Sequence, residues 1–141
     1  MIPPRLAIAL TAAGVLPFGA AALMALGLWP WSGSGVALAQ AYGGVILAFM
    51  SGVLWGFAAK GRAAWAYVLS VLPALHMFFT VPHHPWRVPG DGLAHLIAGF
   101  VAVLVLDAVY VAQGLAPRWW LWLRIPVTLA VVACLITVRH A

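Results

Sequence analysis

The stretch 92–138, GLAHLIAGFVAVLVLDAVYVAQGLAPRWWLWLRIPVTLAVVACLITV, holds two long apolar runs separated by the short break 113–118. A helix needs about 20 mostly apolar residues to cross a hydrocarbon layer of roughly 30 Å, and each run is long enough. So short a break makes the two helices antiparallel neighbours. The first run carries one acid, Asp107, five residues before its end at Ala112; the second carries one internal base, Arg124, five residues after Trp119. At a rise of 1.5 Å per residue, both lie roughly 7–8 Å inside the same membrane boundary. An unpaired charge at the centre of a span costs about 2.5–3.5 kcal/mol on insertion scales, and less near the interface. The sequence therefore predicts an Asp107–Arg124 ion pair.

Helical spacing extends this locus. His95, Gly99, Val103 and Asp107 recur every four residues with Tyr110 three further on, and Thr128 lies one turn beyond Arg124. Two readings stay open: a buried polar site for a proton, a quinone or a lipid head group, or a salt bridge that pins the last two helices together.

The rest of the chain is of the same kind. Of 141 residues, 66% are hydrophobic and 6% are charged, against roughly 25% charge in a soluble domain. This disfavours a separate soluble domain and, with Cys134 as the one cysteine, a disulfide scaffold. It disfavours nucleic-acid binding despite a pI near 10.4. Five spans are expected, near 6–28, 35–58, 64–81, 92–112 and 119–138, forming a single all-α transmembrane domain over 1–141. Barrel strands are excluded, because each run is about twice a strand's length and lacks alternation. The first run resembles a signal peptide, with Arg5 ahead of it and Ala20-Ala21-Ala22 as a cleavage-like site; with no soluble portion following, it is expected to be a retained helix.

Arg5, Lys60, Arg62, Arg118 and Arg124 fall on one side of the membrane, and Arg87 and Arg139 on the other. The positive-inside rule then places the N-terminus in the cytoplasm and the C-terminus in the periplasm. The tryptophans gather near span ends, Trp29, Trp31 and Trp86 outside and Trp55, Trp65, Trp119, Trp120 and Trp122 inside, as interfacial anchors. Six arginines against one lysine, with abundant Ala and Gly, fit a GC-rich bacterial genome and hence a bacterial inner membrane.

Helices in lipid associate through close packing. Gly44, Ala48, Gly52 and Gly56 recur every four residues, Gln40 continues the stripe, and Ala9, Ala13, Pro17, Ala21 and Ala25 form a weaker row on the first span. These two rows are expected to meet, either within the monomer or as part of a dimer face. Pro17, Pro73 and Pro126 should kink their helices, opening cavities or shaping the bundle.

His76, His83, His84 and His95 cluster toward the opposite face and could hold haem iron, copper or zinc. No His-x3-His or Cys-x2-Cys spacing demands this, and no metal or other cofactor is expected. Catalytic signatures are also missing: there is no nucleophile elbow, phosphate loop or paired carboxylates, and Cys134 reads as a packing residue.

Several local patterns together resemble a known family: Gly52-Val53-Leu54-Trp55-Gly56, Ser70-Val71-Leu72-Pro73, Asp107, Pro117-Arg118-Trp119-Trp120, and Leu123-Arg124 with Thr128. The chain from about Pro17 to Thr128 is similar to the small multi-pass family that includes transmembrane protein 69, a family of unknown function in proteobacteria and mitochondria. The resemblance implies that Trp55 packs toward the Asp107–Arg124 pair. Trp120 stands where that family usually has tyrosine, and the four histidines lie outside its pattern.

Three functions follow as expectations. The first is a non-enzymatic accessory, assembly or structural subunit of a larger membrane complex. The second is a transporter or channel component with Asp107, Arg124, Tyr110 and Gln40 along a path; the third is a membrane binder or enzyme handling a lipid, quinone or haem. The partners expected are the lipid bilayer and either other membrane subunits or further copies of the chain.

Overall fold

The computed structural model describes residues 3–30, 33–80 and 91–141. They form six α-helices and no strands: α1 (Arg5–Ala13), α2 (Leu16–Ala25), α3 (Gly35–Gly61), α4 (Ala64–Thr80), α5 (Gly92–Ala112) and α6 (Arg118–His140). Four segments are long and apolar enough to cross a membrane: Arg5–Ala25 taken together, α3, α5 and α6. α4 is apolar but shorter, at 17 residues. The expected end of its span at Val81, together with Trp31, His83, His84, Trp86 and Arg87, lies outside the described residues.

Local chemistry sets the helix ends. The Ser34 hydroxyl accepts the amide of Ala37 at 3.2 Å and starts α3. Gly27 and Gly114 follow α2 and α5 with φ of +71°. In each case the next residue's amide returns to the helix, Leu28 to Leu23 O at 2.9 Å and Leu115 to Tyr110 O at 2.9 Å. This closure satisfies the last carbonyls and needs a left-handed residue, which glycine adopts without a Cβ penalty.

The prolines act differently from one another. Pro17 sits in the first turn of α2, where its missing N–H costs nothing, and the first span breaks just before it, at Gly14–Val15. Pro73 and Pro126 lie inside helices that continue past them. Next to Pro73, the Ala74 amide donates to Ser51 Oγ of α3 at 2.9 Å. A proline that disturbs the ladder of α4 is thereby turned into a bond between helices.

α3 is central, lying against α2, α4, α5 and α6, while α1 leans on α6. Two cores result. Phe18, Leu47, Leu96, Phe100, Val103 and Leu135 anchor the larger; Leu54, Ala58, Ala66, Tyr110 and Ala116 form the smaller, beside the α3–α4 and α5–α6 turns. Outward faces stay apolar: Val45, Phe49, Val68, Val105 and Leu129 are all more than half exposed. A helix that is apolar all round suits lipid rather than water.

The expected meeting of the two small-residue rows needs correction. On α3 the buried line is Gly43, Leu47, Met50, Ser51, Leu54 and Ala58. A Cβ on Gly43 would come within 2.9 Å of Leu96, so Gly43 marks the close approach. Gly44 faces Met77 of α4 instead, Gln40 is half-buried, and Ala48, Gly52 and Gly56 are exposed on the outside of the bundle. From the other row, Ala21 is buried where its carbonyl meets Gly35. Large side chains on α2 and α5, Phe18 and Leu96, draw the Gly43 edge inward because only a glycine there leaves them room.

α5 and α6 are tied at both ends. Asp91 caps α5 by accepting the Leu93 amide at 2.9 Å, and it also accepts Arg139 Nε at 2.6 Å. Burial is the largest single influence on the Asp91 carboxyl and works against its ionisation. The Arg139 hydrogen bond and the Leu93 and Ala94 amides outweigh it and hold the carboxyl below its usual 3.8. A carboxyl lowered on folding contributes stability above its unfolded pKa and loses it as pH falls through the folded value. For this half-exposed pair the contribution is at most about 1 kcal/mol. In detergent melts taken from about pH 5 down to pH 3, the wild type should lose a small increment of Tm that Asp91→Asn lacks throughout; parallel curves would refute the pairing.

Candidate functional site

Asp107 of α5 is fully buried and Arg124 of α6 is 4% exposed. Arg124 Nε donates to Asp107 Oδ2 at 2.9 Å. The other carboxylate oxygen, Oδ1, accepts the indole N–H of Trp120 at 2.7 Å. Trp120, Arg124 and Thr128 stand one turn apart on α6 and so face the core together. The Trp120 ring also lies 6.0 Å from the guanidinium carbon and packs edge-on against Phe57 of α3 at 5.4 Å. The ion pair thus sits where the two cores meet, with an indole lodged between them.

The remaining sequence-derived residues divide. Thr128 is 2% exposed and lies on the same face as the pair. Tyr110 is fully buried, but its hydroxyl donates to the Ala66 carbonyl of α4; it braces α5 against α4 and does not bond Asp107. Trp55 corrects the expectation carried by the resemblance: it is 49% exposed and packs on Tyr67 at 4.8 Å, away from the pair. Trp120 in turn is a core ligand of the carboxylate rather than an interfacial anchor, because its N–H finds a partner only inside. Gln40 lies 17 residues from Phe57 along α3, about 25 Å, so it stands apart from the Asp107–Arg124 locus.

At the other end of the bundle, His76 Nε2 lies 2.8 Å from the His95 carbonyl and the two rings meet edge to face at 5.9 Å. Among the described residues no group of three or more histidine, cysteine or acidic side chains could hold a metal. Cys134 is half-buried beside the larger core.

Sequence reasoning missed the Asp91–Arg139 pair, although a signal was present. Asp91 and Asp107 are 16 residues apart on one helix, Arg124 and Arg139 15 apart on the next. In antiparallel helices these separations, about 24 Å and about 22 Å, match. It also missed Ser51 and the indole of Trp120, whose partners lie on other helices.

Beside the pair, a cavity of about 450 Å³ opens between α1, α3 and α6. Its wall includes Phe18, Met50, Phe100, Arg124, Thr128 and Val131, and it lies against the break at Gly14. Among the described residues three buried side-chain atoms lack a hydrogen-bond partner; two of them, Arg124 Nη2 and Thr128 Oγ1, belong to residues of this wall.

These features define a multi-pass, membrane-type helical bundle with a buried ion pair bordering an apolar cavity. Residues 3–139 match the family described as protein of unknown function (DUF3429), and the chain belongs to that family. No curated protein and no solved structure matches it.

Breaking a buried pair by removing one partner costs about 3–5 kcal/mol, because the other charge is stranded, whereas replacing both by apolar groups is often near neutral. Arg124→Leu should therefore lower thermal stability in detergent far more than the double variant Asp107→Leu/Arg124→Met. Trp120→Phe, which deletes one hydrogen bond to a charged group, should cost about 1.5–3 kcal/mol. Additive losses in the double variant would show that the pair is not coupled.

Proposed function

We propose that this protein is a non-enzymatic accessory, assembly or structural subunit of a larger complex in the bacterial inner membrane, with its N-terminus cytoplasmic and its C-terminus periplasmic. The observation that carries the reading is the outward stripe on α3. Ala48, Gly52 and Gly56 are exposed, and a Cβ added at Gly52 or Gly56 would meet nothing within 4 Å. In lipid, a row of small residues left on the outside lets a helix of another subunit approach backbone to backbone. The ion pair supports the same reading, since both oxygens of Asp107 are occupied by Trp120 and Arg124 in holding helices together. The Lys and Arg asymmetry supports the orientation. Kinship with the transmembrane protein 69 group belongs to this proposal and rests on the motifs around Trp55, Asp107 and Arg124.

Purification in mild detergent tests it. The full chain should migrate with other membrane subunits, and Gly52→Leu/Gly56→Leu should release it. That variant places side chains in open space and replaces glycine by a better helix former, so released protein should melt no lower than wild type. A wild-type chain that runs alone under every gentle condition would remove the basis for a subunit role, and self-association alone would replace it with a homo-oligomer.

A further inference from the structure

We propose that the cavity beside the Asp107–Arg124 pair is a binding site for a lipophilic molecule whose head is an uncharged carbonyl-type acceptor. The cavity measures about 450 Å³, within the range of about 300–1,000 Å³ typical of small-molecule sites. Its wall is aliphatic and aromatic apart from a few polar groups, among them Arg124 and Thr128. Both side chains are more than nine-tenths buried, and each holds a polar atom without a partner. Buried polar atoms in folded proteins are almost always satisfied, and an unmet one costs about 1–3 kcal/mol, more when it is charged. Thr128 sharpens the point. A helical threonine can bond the carbonyl one turn back, yet this one does not.

The chemistry of the donors selects the ligand. Guanidinium nitrogens only donate, and a hydroxyl can donate or accept, so the group that satisfies both is an acceptor. An anion fits poorly: Arg124 is already neutralised by Asp107 at 2.9 Å, and a second negative charge would leave the site with a net charge in a low-dielectric setting. A carbonyl oxygen is an acceptor that suits either donor without adding charge.

The entrance selects the body. Leu10 and Phe49 line the cavity and are 64% and 63% exposed on the outer, lipid-type surface, whereas Phe18 and Phe100 deeper in the wall are buried. α1, which contributes Ala7, Leu10 and Thr11, has no buried residue and only brushes α6, whereas α2 beyond the break at Gly14 packs closely on it. A molecule would enter sideways from the hydrocarbon, head first toward Arg124. Two sources share this chemistry, an isoprenoid quinone and an ester-linked lipid. The inference does not depend on the subunit reading, because every wall residue comes from one chain.

The experiment uses the full chain purified in a maltoside detergent, which brings no carbonyl of its own. A short-tailed benzoquinone and a short-chain diacylglycerol are titrated separately, with binding read from Trp fluorescence and from retention on the protein after gel filtration. Saturable binding is expected for one of them. Thr128→Val should raise its Kd about fivefold to tenfold, as loss of one hydrogen bond predicts, and Val131→Phe should abolish binding by filling the cavity. Val68→Phe on the exposed face of α4 should leave the Kd unchanged. Thr128→Val is nearly isosteric and retains the fold even if larger changes do not. Preference for the quinone or for the diacylglycerol identifies the source. Failure of both probes to bind, or equal binding by Thr128→Val and Val131→Phe, would overturn the proposal and leave a cleft that holds water only.

Discussion

Charge neutralisation in a medium of low polarity governs this bundle. The chain carries two acids, both on the α5 side of one hairpin, and each meets an arginine of α6: Asp91 with Arg139 and Asp107 with Arg124. Two contacts about 24 Å apart along antiparallel helices fix their register far better than apolar packing, which in lipid distinguishes poorly between one sliding position and the next. The two pairs are not equivalent. The outer one is 43% exposed at both side chains and so is weak, while the inner one is closed off almost completely.

The remaining helices are placed by fit and by hydrogen bonds that repair the backbone. Gly43 admits Leu96 and Phe18, and Gly99 admits Leu47 and His76. Ser51 caps the amide beside Pro73, and Tyr110 reaches the Ala66 carbonyl. Each joins one helix to another where a free polar group in lipid would be costly. Together they orient α3 so that its small-residue stripe points outward, toward whatever neighbour the membrane supplies.

The cavity follows from the same economy of charge. An arginine offers five N–H donors, but only its Nε is bonded to Asp107, whose second oxygen is taken by Trp120. Surplus donor capacity therefore remains at Nη2, and Thr128, whose hydroxyl is also unmet, shares the cavity wall with Arg124. A neutral acceptor is the complement of that surplus, which links the structural ion pair to a binding role without further machinery.

Sequence alone determined the helical, membrane-type class, the approximate spans and the Asp107–Arg124 partnership. Apolar run length, loop length and the cost of a lone charge in hydrocarbon are properties a linear chain displays directly. The Asp91–Arg139 pair left only a signal, the matched spacing of acids and arginines, and became evident once the two helices stood side by side. Tertiary structure alone decided which face of α3 turns inward, that Trp120 rather than Trp55 serves the carboxylate, that Tyr110 braces α4, and that Arg124 and Thr128 border a cavity. One register step on a helix rotates a side chain by about 100°, so Gly43 and Gly44 read alike in a stripe yet meet different helices. Their roles depend on the bulk of Phe18, Leu96 and Met77, residues far away in the chain whose approach no local pattern encodes.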